Sequence, residues 1–499
     1  MESTIRPADL WHSRPEQLAS PLYQAYASTA RLDELRATEY DYLDRDGHIY
    51  LDYTGAGLPA RNQLRAHVER ILGGCYGNPH SDNPTSLAST QLVNQTRAAV
   101  LDHFHASPDE YAVIFTANAT GALRLIGEAY PFGPDNRLVL AFDNHNSING
   151  IREYARSHSA DVDYIPLVPH DLRLDERTTH RHLTASPRRR WSQPHRAGRV
   201  RRRGLFAFPA QSNFTGIQHA LGLVDLAHQE GYDVLLDAAA YAPSNQLDLS
   251  RVHPDFVPVS WYKVLGYPTG IGCLIARREA LSRLRRPWFS GGTIQAVSVQ
   301  GDWHLLASDE SAFEDGTLNF LSIPDVGVGL SWLGQVGMGL VHRRTTCLTA
   351  MLLEGLSALR HSDGRPLVRI YGPRSMAGRG GTIAFNFLDP DGHIVDERVV
   401  SRDSSAHRIS LRTGCFCNPG AGEAAFNILK STLTGSILRN PHTIDEYLIL
   451  LGLPSAGAIR VSFGIASNLA DVERFLRFAD VTYRDQYPSL AGLNPRLRC

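Results

Sequence analysis

Lysine is nearly absent from this chain: of its 50 basic side chains only Lys263 and Lys430 are lysines, the other 48 being arginines. On a solvated face the two types are interchangeable, so a base-composition bias accounts for the replacement there. The exchange fails where the amine is itself the reagent, because a guanidinium stays protonated whereas a lysine can be shifted to a neutral, nucleophilic amine. Lys430 lies in NILKSTLTGSIL, which predicts a helix surface with nothing nearby to suggest a site. Lys263 lies in DFVPVSWYKVLGYPTGIGCLIA, a β-branched run, a polar tetrad, a Gly/Pro-rich turn and a second apolar run. Upstream, GYDVLLDAAAY is another short strand that ends in Asp237. An acid at the end of one strand and a lysine after the next suit pyridoxal 5'-phosphate. The lysine forms an imine with the aldehyde, and the carboxylate keeps the ring nitrogen protonated, so that the ring draws electrons from the substrate's α-carbon. Alone, Asp237 reads equally well as a helix N-cap; paired with Lys263, the cofactor role is favoured.

The elements that must position this pair are legible as apolar periodicity. YAVIFTA then GALRLIGEAY, RLVLAFD then NSINGIREYA, and GLFAFPA then LGLVDLAHQEG alternate strand and helix, which predicts an α/β fold with a mostly parallel sheet flanked by helices. The expected division is an N-terminal helical arm over 1–45 packing with a small domain, a large cofactor-binding domain over 46–340, and a small α+β domain over 341–499. The 499 residues suffice for two or three cores. A formal net charge of −1 argues against a nucleic-acid binder. No apolar run approaches the roughly 20 residues that span a bilayer, and the first residues lack a secretory h-region. Six cysteines do not make a disulfide scaffold. A cytoplasmic location is the expectation. The arginine-rich segment 187–203 reads as a solvated insertion or as a dock for an acidic partner; the sequence does not choose.

With these motifs in place, the chain resembles class V, fold-type I pyridoxal phosphate enzymes, and within them the cysteine-desulfurase-like domain of molybdenum cofactor sulfurases. SWYKVLGYPTGIG, VLLDAAAYAPSNQLDLS and LRTGCFCNPGA carry the resemblance; YLDYTGAGLP, YGNPHS, FTANATGALRLIGEAYPF, LFAFPAQSNFTGIQH, FEDGTLNF and IRVSFGIASNLADVERF fit in the same order. The resemblance implies that Thr120, with the amides of Ala119 and Gly121, opens a helix whose N-terminus suits the cofactor phosphate. It implies that His145 stacks on the ring and shuttles protons, that Asn213 bonds the ring's phenolic oxygen, and that Ser260 and Tyr262 are phosphate ligands. Thr317 would reach the phosphate across a homodimer interface, so that active sites are shared. Arg460 would bind the substrate α-carboxylate, a task suited to a bidentate guanidinium, with Arg412 a second candidate.

Within this superfamily the fold alone leaves the reaction open, since aminotransferases, epimerases, lyases and desulfurases share it. The segment Arg412–Asn418, RTGCFCN, discriminates. In a desulfurase a loop thiolate attacks the sulfur bound at the cofactor and keeps it as a persulfide while alanine leaves; Cys417 takes that position, and Cys415 stands where many relatives carry histidine. A thiolate in this role needs exposure and an electropositive setting. Two rival readings of C-x-C are a zinc half-site, for which no second pair has suitable spacing, and a pair of buried structural cysteines. No metal is expected. The resemblance therefore implies a sulfurtransferase acting on L-cysteine and passing sulfur to an acceptor protein or small molecule; a C–S lyase, epimerase or aminotransferase of the same superfamily is the alternative. Three departures bear on the acceptor. Full-length cofactor sulfurases carry a further C-terminal domain, for which the chain up to Cys499 has no room. GEAAF after CFCNPGA lacks a further cysteine often found there, and Ala240 stands where many desulfurases have glutamine.

Overall fold

The computed structural model describes residues 20–185, 203–437, 442–452, 455 and 457–496; apart from Arg203, the arginine-rich segment lies outside them. Seven strands pair into one sheet: Tyr111–Thr116 (β1), Arg137–Ala141 (β2), Asp161–Ile165 (β3), Gly204–Pro209 (β4), Tyr232–Asp237 (β5), Phe256–Ser260 (β6) and Gly272–Arg277 (β7). Their order across the sheet is β1-β7-β6-β5-β4-β2-β3, and only β7 runs antiparallel to its neighbours. Both faces of the inner strands are covered, which is why these read as nearly continuous apolar runs, whereas the edge strand β3, DVDYI, is half-buried and carries two aspartates. Alternation sorts them: Phe206, Phe208, Val234 and Leu236 join one core, and Leu205, Ala207 and Leu235 the core on the other face. The rings of Phe206 and Phe208 stack at 5.0 Å, two side chains on one face separated by one residue of the pleat.

A helix over Ile323–Val336 ends at Gly337, and a second starts at Met338 and runs to Ala358. Gly337 holds φ at +93°, a region open to glycine at no steric cost, so the chain breaks there; the sequence alone suggests a start nearer Val341. Beyond it Val368–Tyr371 (β8), Thr382–Phe387 (β9), Arg412–Gly414 (β10) and Ala458–Ser462 (β11) form an antiparallel sheet in the order β8-β9-β11-β10. It packs on the helices Met338–Ala358 and Leu469–Tyr483 through Leu352, Leu356, Ile383, Phe385, Phe475 and Leu476.

The helices between residues 20 and 45 are tied in by charge. Arg344, fully buried on the helix from Met338, donates to both carboxylate oxygens of Asp33 at 2.7 Å. Arg36 donates to Asp471 on the last helix at 2.6 Å and to Asp44 at 2.8 Å. A short strand, Ile49–Tyr50, then pairs in parallel with Ile409–Ser410, which sets the next residues, Asp52 to Gly57, beside β10 and β11.

Candidate active site

Parallel strands aim their carboxyl ends at one edge of a sheet, where ligands of open α/β folds bind. Here that edge gathers Asp237 at the end of β5, Ser260 at the end of β6, and Lys263 in the single helical turn Trp261–Leu265 that follows it. With Asn118, Ala119, Thr120, His145, Ser147, Gln211, Asn213, Ala240 and Tyr262 they line one cavity of about 260 Å³. Eight of the thirteen residues singled out from the sequence thus meet: Ala119, Thr120, His145, Asn213, Asp237, Ser260, Tyr262 and Lys263.

Burial sets the chemistry of the cavity. It holds the Lys263 amine below its usual range, with Asp237 opposing the shift and Arg460 adding to it. His145 is also lowered, first by burial and then by Lys263. Its Nδ1 accepts from the Ser147 amide at 3.1 Å, so the neutral ring carries its proton on Nε2. Burial raises the Tyr262 phenol. Asp237 is nearly enclosed and accepts from the Ala239 amide at 2.9 Å.

The opposite end of the cavity is a helix N-terminus. Asn118, which the sequence analysis passed over, caps the helix Ala119–Ala129 by accepting from the Gly121 amide at 2.9 Å. The Gly121 amide is therefore already spoken for, and Gly121 faces a separate cavity. The Ala119 amide meets Ser260 Oγ at 3.4 Å, and Thr120 Oγ1 pairs with Ser147 Oγ at 2.9 Å. Hydroxyls and helix amides converging in this way suit a phosphate group.

Arg460 on β11 is buried behind this cavity. Its Nη1 donates to the Asn213 carbonyl at 2.8 Å and its Nη2 to Asp52 Oδ1 at 2.9 Å, while Nε is buried without a partner. Burial lowers it. Arg412, half exposed, donates from Nε and Nη2 to Asp52 Oδ2 at 3.0 and 2.6 Å; burial pulls it down, but the hydrogen bond and ion pair with Asp52 outweigh that and raise it. Asp52 thus bridges the two guanidiniums. Gly55 is needed beside them: a Cβ there would lie 2.5 Å from both Arg412 Nη2 and Asp52 Oδ2.

Cys417 is not in the cavity wall. It lies on the loop between β10 and the helix Pro419–Ala425, and its carbonyl accepts from the Asn146 amide at 2.7 Å, next to His145. Among the described residues the free thiols are Cys75, Cys273, Cys347 and Cys417, and of these only Cys75 and Cys417 are exposed. Cys415 is disulfide-bonded. No cluster of three or more His, Cys, Asp or Glu side chains that could hold a metal occurs among the described residues. Asn213, expected to face a phenolic oxygen, spends its side chain on the cysteine loop: Nδ2 donates to the Phe416 carbonyl and Oδ1 accepts from Asn418 Nδ2, both at 2.8 Å. Thr317 lies apart from Lys263, in a second cavity of about 390 Å³ with Gly121, Arg124 and Trp288.

The aminotransferase class-V family model matches residues 49–475. The chain belongs to this family. Class-V aminotransferases and their relatives are enzymes that use pyridoxal 5'-phosphate. Within it the chain is similar to the molybdenum cofactor sulfurase of Solanum lycopersicum, at 35% identity over 95% of this chain and 60% of the relative. The human molybdenum cofactor sulfurase is 36% identical over 90% of this chain and 51% of its own length. The chain thus spans just over half the length of these curated relatives. Among solved class-V folds, the apo cysteine desulfurase from Thermococcus onnurineus NA1 superposes with a TM-score of 0.72 at 24% identity, over 90% of this chain and 97% of that one. A cysteine desulfurase from Escherichia coli does so at 0.67 and 20% identity, over 90% and 98%. Both share the fold described above.

Proposed function

We propose that the chain is a pyridoxal phosphate-dependent sulfurtransferase of the cysteine desulfurase type, similar to molybdenum cofactor sulfurases, that takes sulfur from L-cysteine onto Cys417 and releases alanine. The observation that carries this reading is the pairing of a buried amine with an exposed thiol. Lys263 and Asp237 line one cavity, and the Cys417 loop is fastened to the residue after His145. The donor set fits the cofactor: an amine held low by burial, a carboxylate across from it, and a helix N-terminus with hydroxyls at the far end. When bound, pyridoxal phosphate supplies an electron sink for the substrate's α-carbon.

The chain's own residues do the rest. Asp237 is the carboxylate that would hold the ring nitrogen protonated, and Ala119, Thr120, Ser147, Ser260 and Tyr262 are the groups that would hold the phosphate. Lys263, neutral once released, moves the proton at the α-carbon. His145 screens the cavity and offers Nε2–H. Arg460 and Arg412 bind the α-carboxylate; the buried Nε of Arg460 has no other partner to give up. Cys417 Sγ, as thiolate, forms the S–S bond as the substrate's C–S bond breaks, so L-cysteine and a thiol become alanine and a persulfide.

The test is incubation of the loaded protein with L-cysteine and a reductant. Alanine should form, and peptide mass spectrometry should find one added sulfur on Cys417. In Cys417→Ser alanine formation should stop while the cofactor absorbance, roughly 410–430 nm for this class, stays. Pyruvate with sulfide would instead mean lyase chemistry, a 2-oxo acid that keeps the sulfur would mean transamination, and alanine formed without Cys417 would assign the sulfur-accepting role to another thiol.

Two further parts of the reading concern partners. A homodimer is favoured by the hairpin Ile294–Ser298/Trp303–Leu306, which leaves Val299 93% and Trp303 54% exposed. It is joined to the Thr317 segment by the Gly316 amide bonding the Gly291 carbonyl at 3.0 Å. Sedimentation should give twice the chain mass, and Trp303→Glu should lower it. The sulfur passes to an acceptor protein or small molecule, and the reaction is assigned to the cytoplasm as part of this reading.

A further inference from the structure

The two halves of the site touch at one ring. Phe416, the residue before the proposed sulfur acceptor, is 8% exposed and lies under the Arg460 guanidinium, 4.8 Å from Cζ to the ring centroid. Its other neighbour is Phe214, at 5.0 Å. Asn213 doubles the connection, because its carbonyl takes Arg460 Nη1 while its side chain donates to the Phe416 carbonyl.

The backbone here is not relaxed. Phe416 and Cys417 hold φ at +55° and +54° in succession, a left-handed pair that side chains with a Cβ adopt only when their surroundings enforce it. Four contacts enforce it: the guanidinium over the ring, Asn213 on the Phe416 carbonyl, the Asn146 amide on the Cys417 carbonyl, and Asn418 bonded to Asn213 and to the Asp143 carbonyl. A cation is held to a ring face by its charge. An incoming carboxylate on the buried, unpartnered Nε would share that charge and loosen the hold on the ring.

We infer that Phe416 is a positioning residue that couples occupancy of Arg460 to release of the Cys417 loop, so that the thiol is freed when a substrate carboxylate has arrived. This rests on the reading of Arg460 as carboxylate ligand and of Cys417 as sulfur acceptor. Linkage requires the effect to be reciprocal: a chain whose loop is already free binds the carboxylate more tightly.

The test is the rate at which iodoacetamide alkylates Cys417 in the cofactor-loaded protein, resolved by peptide mass spectrometry with the exposed Cys75 as internal reference. L-Alanine is the probe, and its binding is read independently from the cofactor absorbance. L-Alanine should speed alkylation of Cys417 relative to Cys75 by about fivefold or more, the lower end of ordinary coupling between sites. Phe416→Leu keeps the apolar volume and removes the ring face; its Cys417 should react fast with or without L-alanine, and L-alanine should bind more tightly. Phe416→Tyr keeps the ring and should restore the response. Were Phe416 only a packing residue, the leucine variant would keep the alanine effect. That outcome overturns the proposal, as does an unchanged or slower wild-type alkylation while L-alanine shifts the absorbance. If L-alanine leaves the absorbance untouched, the reading of Arg460 fails first and takes the coupling with it.

Discussion

Lys263 and Cys417 stand in surroundings that share little. Lys263 follows a fully buried strand into one helical turn at the carboxyl edge of the seven-stranded sheet, where burial dominates its surroundings. Cys417 is exposed, on a loop with two left-handed residues, and its place depends on the Asn146 amide and Asp143 carbonyl of the His145 loop and on the side chains of Asn213 and, from β11, Arg460. The enclosed half is suited to hold a cofactor without adjusting. The exposed half carries a nucleophile that has to reach a substrate and then an acceptor, and strain held by a few contacts is what allows such movement.

That contrast can be broken by substitution. Lys263→Ala should lower alanine formation from L-cysteine by about 10³-fold or more, yet leave Cys417 alkylation near the wild-type rate; a matching loss of both would mean that the halves are one unit. Arg460→Lys removes a planar fork and should raise the KM for L-cysteine by about 10- to 100-fold, measured by steady-state kinetics. Asn118→Ala removes the cap of the helix at the phosphate end and should cost about 1 kcal/mol of stability, seen in denaturant unfolding, together with weaker cofactor retention on dialysis.

The smallest effect follows pH and falls on the large-sheet half. His103 is lowered to about 4, chiefly by burial and next by His105, and His145 is lowered as well. Each is neutral when folded and takes up a proton near pH 6.5 when unfolded. The His103 contribution to stability is therefore complete above about pH 6.5 and is lost as pH falls toward 4, and that of His145 is lost in the same direction. His103→Asn should flatten the melting temperature over that window, by an amount equivalent to no more than about 3 kcal/mol.

Much of the enclosed half was legible because its signals are local. Strand runs, an acid at a strand end and one of two lysines after the next strand lie within a few dozen residues. Asn118 also had a signal, an asparagine just ahead of an amphipathic run, and was overlooked in favour of Thr120. Asp52 had none: its partners Arg412 and Arg460 lie 360 and 408 residues away, and the parallel pairing of Ile49–Tyr50 with Ile409–Ser410 and the bridge from Asp52 to Ser462 bring them together. The same holds for Phe416, whose neighbour across the ring comes from β11 and whose backbone angle no propensity predicts.

The family match begins at residue 49, but a truncation cut there would not be innocuous. Arg344 would lose Asp33 and Asp471 would lose Arg36, and the surface that these helices cover would be opened to water. For anyone trimming the gene for expression, the first helices are a keystone rather than a leader.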